Sequence, residues 1–360
     1  MKYIDEFRNK EAVQYFTNEI RKKSKDREIT LMEVCGTHTM SIYKYGIKRM
    51  LPENVRLLSG PGCPVCVTDD SYIDKAIELS LNRDVIITTF GDMMRVPGYK
   101  TSLEKQKADG SDIRVVYSVS DALKIAIENQ SKKVMFLGVG FETTSPTIAS
   151  AIIFAQKNNI KNFYVMSAHK LIPPAMEALV KGGKVNVNGF ICPAHVSTII
   201  GSLPYKFLTE RYNIPCVIGG FEPTDILHSL YLLVKQIMEN RSEVEIQYTR
   251  AVKVEGNKKA LSIMNDVFSV NDADWRGIGN IDNSGLKIKK DFKEFDVDFV
   301  FPIKLKPAKK VSGCICGNVL QGINTPEECK LFRRVCTPEN PIGPCMVSSE
   351  GTCSAYYKYT

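Results

Sequence analysis

The sequence predicts an α/β fold: two similar parallel-sheet α/β domains, followed by a smaller, loop-rich C-terminal domain. Three observations support this prediction. Short β-rich runs recur about 25–30 residues apart, which is the length of one βα unit. Amphipathic helical patterns fill the intervals between them. The last part of the chain holds six of the eleven cysteines and shows little periodicity.

The first predicted domain covers residues 1–130 and the second covers residues 131–242. The predicted strands of the first are "ITLMEV", "VRLLSG", "VIITTF" and "IRVVYS". Those of the second are "KVMFLGV", "NFYVMSA", "NGFICP" and "PCVIGG". Helical patterns such as "SYIDKAIELSLN" and "DILHSLYLLVKQIMEN" separate them, so each domain is expected to have its own mainly parallel sheet.

Residues 243–360 form the third predicted domain. Its first part contains a possible strand and helix, and "DADWRGIGNIDNSGLKI" is predicted to be loop-rich. The tail beyond it buries too little apolar surface to be stable alone, so an inorganic group is expected to hold it together.

The composition is that of a globular protein, with 44% hydrophobic and 24% charged residues. The net charge is +8, but basic and acidic residues alternate, which indicates a solvated surface rather than a nucleic-acid interface. The N-terminal stretch is polar, and no apolar run reaches the roughly 18–20 residues that cross a bilayer. We therefore expect a cytoplasmic protein with no membrane and no nucleic-acid partner. Eleven cysteines in a reducing compartment favour metal, cluster or redox chemistry.

Polar turns follow the predicted strands, as in "MEVCGTHT", "LLSGPGCPVC" and "TTFGDMMRVPG". Because ligands of open parallel sheets bind beyond the carboxyl ends of the strands, we expect chemistry at this edge. In the third of these turns, Asp92 and Arg95 are close enough in sequence to form an ion pair. Cys192 and Cys216 lie in apolar runs and are expected in the core.

The tail cysteines are candidate metal ligands because thiolates select zinc or iron–sulfur clusters. They are Cys314, Cys316, Cys329, Cys336, Cys345 and Cys353. Their long and unequal gaps differ from the two close pairs of a structural zinc site, so a cluster is favoured, with zinc or no metal as alternatives. Cys314 and Cys316 have one residue between them and are expected to point to opposite faces, so only one of them is expected to be a ligand.

A second candidate site comprises Cys35, Cys63 and Cys66, which follow the first two strands. Neighbouring strand ends are expected to bring these thiols together. A helix N-terminus after Cys66 favours a thiolate there, and His38 is placed to orient Cys35 or accept its proton. Three interpretations stay open: an inert buried pair, metal-free dithiol exchange, and an open thiolate site that takes up iron.

The chain resembles the hydrogenase maturation factor HypD family. The resemblance is carried by "MEVCGTHT", "LLSGPGCPVCV", "TTFGDMMRVPG", "GFETTSPT", "PPAM", "GGFEPTDIL" and "CTPENPIGPCMVSSEGTCSAYYKY". It implies two α/β domains and a domain that binds a [4Fe-4S] cluster through Cys316, Cys329, Cys336 and Cys353. It also implies that Cys35, Cys63 and Cys66 handle iron, with His38 nearby. Cys314 and Cys345 exceed this four-cysteine pattern, and Asp69 stands where the family commonly has proline.

The resemblance further implies a cytosolic role in building the Fe(CN)2CO moiety of [NiFe] hydrogenases. The implied partners are a small HypC-type chaperone and HypE, the cyanide donor. The expected activity is that of a redox-active assembly scaffold, with ferrous iron at the thiolate site, rather than that of a turnover enzyme. The alternatives are an iron–sulfur-dependent dithiol/disulfide oxidoreductase and a zinc-stapled binding module.

Overall fold

The computed structural model describes residues 8–25, 27–303, 305 and 313–360. Residues 1–7, the start of the polar N-terminal stretch, lie outside this description, as do residues 306–312 of the predicted third domain. The strands are β1 (Ile29–Glu33), β2 (Val55–Ser59), β3 (Val85–Thr89), β4 (Ile113–Val115), β5 (Lys133–Gly138), β6 (Phe163–Ser167), β7 (Gly189–Pro193), β8 (Cys216–Gly219), β9 (Val244–Ile246), β10 (Phe268–Trp275) and β11 (Gly279–Ile288).

Helices cover the sheets and part of the tail. They are α1 (Lys10–Ser24), α2 (Gly36–Lys44), α3 (Ile47–Met50), α4 (Pro64–Val67), α5 (Asp70–Ser80), α6 (Leu103–Ala108), α7 (Val119–Glu128), α8 (Ser145–Lys157), α9 (Ile172–Gly182), α10 (Ala194–Ile200), α11 (Lys206–Tyr212), α12 (Pro223–Met238), α13 (Lys258–Val267), α14 (Val297–Val300), α15 (Cys316–Leu320) and α16 (Thr352–Tyr359). None of the helices in the described ranges is long and apolar enough to cross a membrane.

Two parallel sheets form the body of the molecule. The first has the strand order β2-β1-β7-β8-β9, and the second has the order β4-β3-β5-β6. All of their pairings are parallel. Their central strands are buried on both faces; β3 and β7, for example, have no exposed residue. This burial explains the continuous apolar runs of the sequence and confirms an α/β fold with parallel sheets.

The strands are grouped differently from the prediction. β3 and β4, expected in the first domain, share a sheet with β5 and β6, because β3 pairs with β5. β7 and β8 return to the first sheet, where β7 pairs with β1. β9 lies beyond residue 242 and still belongs to the first sheet. The expectation of a separate sheet for residues 27–130 and another for 131–242 was therefore wrong. The βα spacing predicts how many strands there are, but apolar strands of equal character do not reveal which neighbour each will pair with.

The helix starts follow local capping chemistry. The Asp69 carboxylate accepts a hydrogen bond from the backbone N–H of Ser71 at 2.9 Å and begins α5. Ser118 and Asp121 form a reciprocal capping box at the start of α7. Asp69 therefore caps α5, which accounts locally for an acidic residue where the HypD family commonly has proline.

The segment predicted to be loop-rich is an antiparallel hairpin of β10 and β11. Its turn uses two left-handed glycines, Gly277 (φ +75°) and Gly279 (φ +110°). Most residues of β10 are exposed and polar, so the strand lacks the apolar run by which the others were recognised. Trp275 anchors the hairpin: it is buried, and its Nε1–H donates to Ser284 Oγ at 2.8 Å. Residues 275–279 are called the hairpin tip below.

The tail, residues 313–360, has short helices and turns and packs on the sheet domains. α16 lies against α2, with a small apolar cluster that includes Tyr43, Met346 and Tyr356. Asp92 and Arg95 do not form the expected ion pair. Asp92 accepts from Ser348 Oγ at 2.7 Å, and Arg95 donates to the Pro338 carbonyl at 2.9 Å. Both residues therefore hold the tail in place.

Candidate thiol site and cysteine cavity

The first two strand ends bring Cys35, Cys63 and Cys66 together, and we call these three residues the strand-end thiol site. Cys35 is the N-cap of α2 and Cys63 is the N-cap of α4. The two turns are joined by a hydrogen bond from the Gly36 N–H to the Gly62 carbonyl at 2.9 Å. All three cysteines are buried. The predicted proximity is therefore confirmed, and it follows from the parallel pairing of β1 with β2.

Cys63 and Cys66 are joined by a disulfide, with their Cα atoms 5.3 Å apart. The Cys66 N–H lies 3.3 Å from Cys63 Sγ, as the first turn of α4 requires. The CPVC loop, residues 60–69, is thus seen in its oxidised form. Binding of a metal by these two sulfurs requires prior reduction to thiolates.

Glycine at position 62 is required by the packing of this loop. A Cβ built on Gly62 would lie 2.2 Å from the Cys35 backbone nitrogen and 2.4 Å from its Cα. No side chain fits there without displacing the backbone of one turn or the other. The "GPGC" sequence therefore allows the loop to lie directly against Cys35.

The surroundings of Cys35 disfavour its thiolate in the absence of a cation. Burial, together with the nearby Glu350 carboxylate, raises the pKa of the Cys35 thiol to about 12. Glu33 lies beneath it: Glu33 Oε2 accepts the Cys35 N–H at 2.9 Å, and Oε1 accepts the Thr39 hydroxyl at 2.5 Å. Burial raises the pKa of Glu33 to about 7 despite these bonds. A thiolate at Cys35 needs a compensating positive charge, such as a bound metal ion.

His38 is directed away from the Cys35 thiol. Its Nε2–H donates to the carbonyls of Gly219 and Gly220, each at 3.0 Å, and its buried Nδ1 has no partner. Burial lowers the pKa of His38 to about 4. In this arrangement His38 ties α2 to the end of β8. Neither ring nitrogen is hydrogen-bonded to Cys35, so its role as orienting group or base stays a prediction.

Three charged residues beside these cysteines have no signal in the sequence pattern: Glu350, Glu33 and Arg276. The Glu350 carboxylate accepts the Thr37 hydroxyl at 2.6 Å, which places a tail residue at the strand-end thiol site. Glu350 lies inside a quoted tail motif, but its distance from residue 37 in the sequence hides the contact. Glu33 lies within a predicted strand and Arg276 within a segment predicted to be loop-rich, so neither pattern marks them as site residues.

All six tail cysteines line one small cavity, which we call the cysteine cavity. Leu331, Phe332 and Met346 complete its wall. Cys314 and Cys316 both face it, so the expectation that they point in opposite directions was wrong. Residues two positions apart share a face even on an extended strand, so the spacing gave no ground for that expectation. In the structure Cys316 begins the helix α15.

The thiols of this cavity differ in their tendency to ionise. Hydrogen bonds from Cys314 and Cys345, with a smaller contribution from the Arg276 charge, lower the pKa of Cys316 to about 3. Because Cys314 and Cys345 donate these hydrogen bonds to Cys316, the pKa values of their thiols are raised above the ordinary range. Burial raises the pKa of Cys336. Cys316 is therefore the thiol that is most readily present as a thiolate.

The two sites are in contact. Cys66 Sγ lies 3.9 Å from the carbonyl oxygen of Pro344, the residue before Cys345. Helix α4, which carries Cys66, packs on the 3₁₀ turn Pro344–Met346. The CPVC loop and the wall of the cysteine cavity are therefore neighbours, without an intervening layer of structure.

Comparison with known proteins identifies the family. A family model described as "HypD: Hydrogenase formation hypA family" matches residues 11–360. The hydrogenase maturation factor HypD2 of Bradyrhizobium diazoefficiens is 46% identical over 368 residues, covering 100% of this chain and 97% of the relative. The hydrogenase maturation factor HypD of Escherichia coli is 41% identical over 366 residues, covering 100% of this chain and 98% of the relative.

The chain belongs to the HypD family of hydrogenase maturation factors. The resemblance drawn from the motifs is thereby confirmed. The hydrogenase maturation factor HypD of Cupriavidus necator also matches, at 44% identity over 368 residues, with 100% of this chain and 97% of that protein covered.

The cysteine cavity can be tested against the cluster that the HypD resemblance implies. No group of three or more His, Cys, Asp or Glu side chains in the described ranges is arranged to hold a single metal ion. A cuboidal cluster has a different requirement, because each thiolate binds a different iron atom and the sulfurs need not converge on one point. The four implied ligands, Cys316, Cys329, Cys336 and Cys353, all line the cavity. The donor set therefore fits a cluster in chemistry and in placement.

Proposed function

We propose that this protein is a redox-active scaffold on which the Fe(CN)2CO moiety of [NiFe] hydrogenases is assembled. The observation that supports it most is the contact between two sulfur sites: Cys66 lies against Pro344, next to Cys345 of the cysteine cavity. Membership of the HypD family supplies the hydrogenase context. The proposed partners are a HypC-type chaperone and the cyanide donor HypE, and the proposed location is the cytoplasm.

In this proposal the strand-end thiol site holds the iron cargo. Reduction of the Cys63–Cys66 disulfide frees two thiols beside Cys35. A ferrous ion displaces their protons and offsets the burial that otherwise keeps Cys35 protonated. Thiolate ligands make the iron electron-rich, which suits carbon monoxide and cyanide as further ligands. The chaperone would complete the coordination.

The same dithiol can release cyanide from a carrier thiocyanate. In the balanced step, the thiols of Cys63 and Cys66 and a thiocyanate R–S–CN give the disulfide, R–SH and HCN. The S–CN bond breaks, the two cysteine sulfurs are oxidised by two electrons, and their two protons go to the products. Reduction of the disulfide then needs two electrons and two protons.

The cysteine cavity would hold a [4Fe-4S] cluster through Cys316, Cys329, Cys336 and Cys353. When bound, the cluster would supply electrons one at a time, from an external one-electron donor. The chain's own contribution is position: Asp92 and Arg95 hold the tail, and Pro344–Met346 lies against α4. Cys314 and Cys345 adjoin Cys316 and are placed to exchange with a ligand.

The test is a Cys66→Ala variant purified anaerobically with the chaperone. We expect the brown cluster absorption to persist, because Cys66 is not among the proposed ligands, and the cyanide stretching bands to disappear from the infrared spectrum. Cyanide bands of wild-type intensity in this variant would overturn the assigned role. Cys216→Ala is the control: this core thiol lies on β8, away from both sites, and the bands should remain.

A second function is favoured by the disulfide itself. The oxidised CPVC loop next to a cysteine-rich cavity is also the arrangement of a dithiol/disulfide oxidoreductase. Counting the iron in the anaerobic chaperone complex separates the two functions. One iron beyond the cluster supports the scaffold; none supports the oxidoreductase. A colourless preparation would instead indicate a zinc-stapled module.

A further inference from the structure

The hairpin tip contacts the exit of the CPVC loop. The backbone N–H of Arg276 donates to the Val67 carbonyl at 2.9 Å, and Trp275 forms a β-bridge with Thr68. The Arg276 guanidinium is buried; its Nε–H donates to the Thr68 carbonyl at 2.9 Å, and it forms an ion pair with Asp70. One residue therefore holds the chain just after Cys66, where the loop passes into α5.

The other side of the hairpin tip contacts the wall of the cysteine cavity. Gln321 Nε2 donates to the Gly277 carbonyl at 2.8 Å. A Cβ built on Gly277 would lie 2.2 Å from the Cα of Gly317, so the two backbones touch immediately beside Cys316. The tip therefore lies between the two sulfur sites.

The tip is also anchored to the second sheet. Lys170 Nζ donates to the Asp274 carbonyl at 2.7 Å, and the Trp275 ring stacks on Phe141 with 6.1 Å between centroids. These contacts leave the tip little freedom to move with either sulfur site. A rigid element touching two sites fixes their separation.

We propose that Arg276 is a positioning residue that fixes the CPVC loop at a constant distance from the cysteine cavity. The proposal rests on the proposed function, in which electrons pass between these two sites. By ordering the chain after Cys66, Arg276 keeps the sulfurs of Cys63 and Cys66 at a high effective concentration. A high effective concentration favours the disulfide over the dithiol.

The test measures this equilibrium in the full-length, cluster-containing protein. Reduced dithiothreitol reacts with the Cys63–Cys66 disulfide by thiol–disulfide exchange. The products are the Cys63–Cys66 dithiol and cyclic oxidised dithiothreitol. We expect Arg276→Gln to raise the equilibrium constant for reduction about tenfold, which equals a shift of about 30 mV for this two-electron couple. Alkylation followed by mass spectrometry of the peptide that contains both cysteines gives the ratio.

Two further variants keep the test interpretable if Arg276→Gln folds poorly. Arg276→Lys retains the charge but not the forked donor, so we expect an intermediate effect of about threefold. Asp70→Asn removes the ion pair at a half-exposed carboxylate and should also shift the equilibrium about threefold. Arg241→Gln is the matched control: it removes another ion-paired arginine, whose partners Glu239, Glu243 and Glu245 lie at the junction of α12 and β9 and not at the CPVC loop. Its equilibrium should equal that of the wild type.

Hydrogen exchange provides a second readout. In Arg276→Gln, exchange should rise in residues 64–70 and also in 315–322, on both sides of the tip. In the control, Arg241→Gln, it should rise in residues 239–246 alone. An unchanged disulfide equilibrium in Arg276→Gln, or faster exchange on one side only, overturns the positioning role. Neither result depends on hydrogenase maturation, so the proposed function would stand or fall separately, by the cyanide bands of Cys66→Ala.

Discussion

The strand-end thiol site and the cysteine cavity are built from the same residue type in opposite ways. Cys35, Cys63 and Cys66 lie at the ends of paired strands, and the sheet fixes their positions. The cavity is lined by six cysteines on short helices and turns of a tail that contributes no strand to either sheet. The sheet therefore positions the first site by backbone pairing, whereas the tail depends on contacts with other elements and, in the proposed function, on a bound cluster.

The largest effect is expected when the backbone packing of the strand-end thiol site is disturbed. Gly62→Ala places a methyl group 2.2 Å from the Cys35 nitrogen, so one of the two turns must move. We expect the free energy of unfolding to fall by more than about 3 kcal/mol, the upper end of overpacking effects, and iron loading to be lost. Urea denaturation and iron analysis measure these two effects.

Gly91→Ala is the control for this substitution. A Cβ there meets only Val115 Cγ1, at 3.7 Å, which is an ordinary contact. If Gly62→Ala were as stable as Gly91→Ala and loaded iron normally, close approach of the loop to Cys35 would not be a requirement of the site.

Removal of iron tests whether the tail depends on a group bound in the cysteine cavity. Anaerobic treatment with an iron chelator, which would remove the proposed cluster, should increase hydrogen exchange in residues 313–360 about a hundredfold, equivalent to ~2.7 kcal/mol of local stability. The strands β1 and β2 should keep their protection, since backbone pairing holds them. Equal loss of protection in β1 and the tail would show that the two sites are not independently supported.

Glu33 makes the stability of the strand-end thiol site depend on pH. Its pKa is raised from 4.5 to about 7, so between these values the folded protein holds a proton that the unfolded chain has lost. Stability contributed by the neutral carboxyl is therefore fully present below pH 4.5 and decreases as the pH rises towards 7. Glu33→Gln should abolish this decrease, which is worth about 2 kcal/mol between pH 5.5 and 7.5.

The measurement is urea denaturation of the wild type and Glu33→Gln at both pH values. Glutamine retains an oxygen for the Cys35 N–H and an amide for the Thr39 hydroxyl. Glu104→Gln, at an exposed position of α6, controls for general charge effects. Parallel pH profiles for the wild type and Glu33→Gln would contradict a raised pKa at this carboxyl.

Features that depend on residues close together in the chain could be predicted from the sequence. The strand-end position of Cys35 and Cys63, and the Asp69 cap of α5, follow from local pattern. The grouping of strands into two sheets and the convergence of all six tail cysteines did not follow, because both depend on pairings between distant segments. Arg276 was missed for the same reason: a polar, exposed strand led to the prediction of a loop, and its partners lie more than 200 residues away.

The smallest expected effect concerns the capping of α16, the last helix of the tail, by Arg333. Arg333 donates to the carbonyls of Tyr356 and Tyr357 and to Thr360 Oγ1, at 3.2–3.3 Å, where the last carbonyls of α16 lack helical partners. Arg333→Gln should cost about 1 kcal/mol of α16 stability, because these bonds are solvent-exposed. Hydrogen exchange of α16 measures it, with the adjacent, exposed Arg334→Gln as control. If both variants matched the wild type, helix capping by Arg333 would contribute nothing, and the cavity's own ligands would be the main support of the tail.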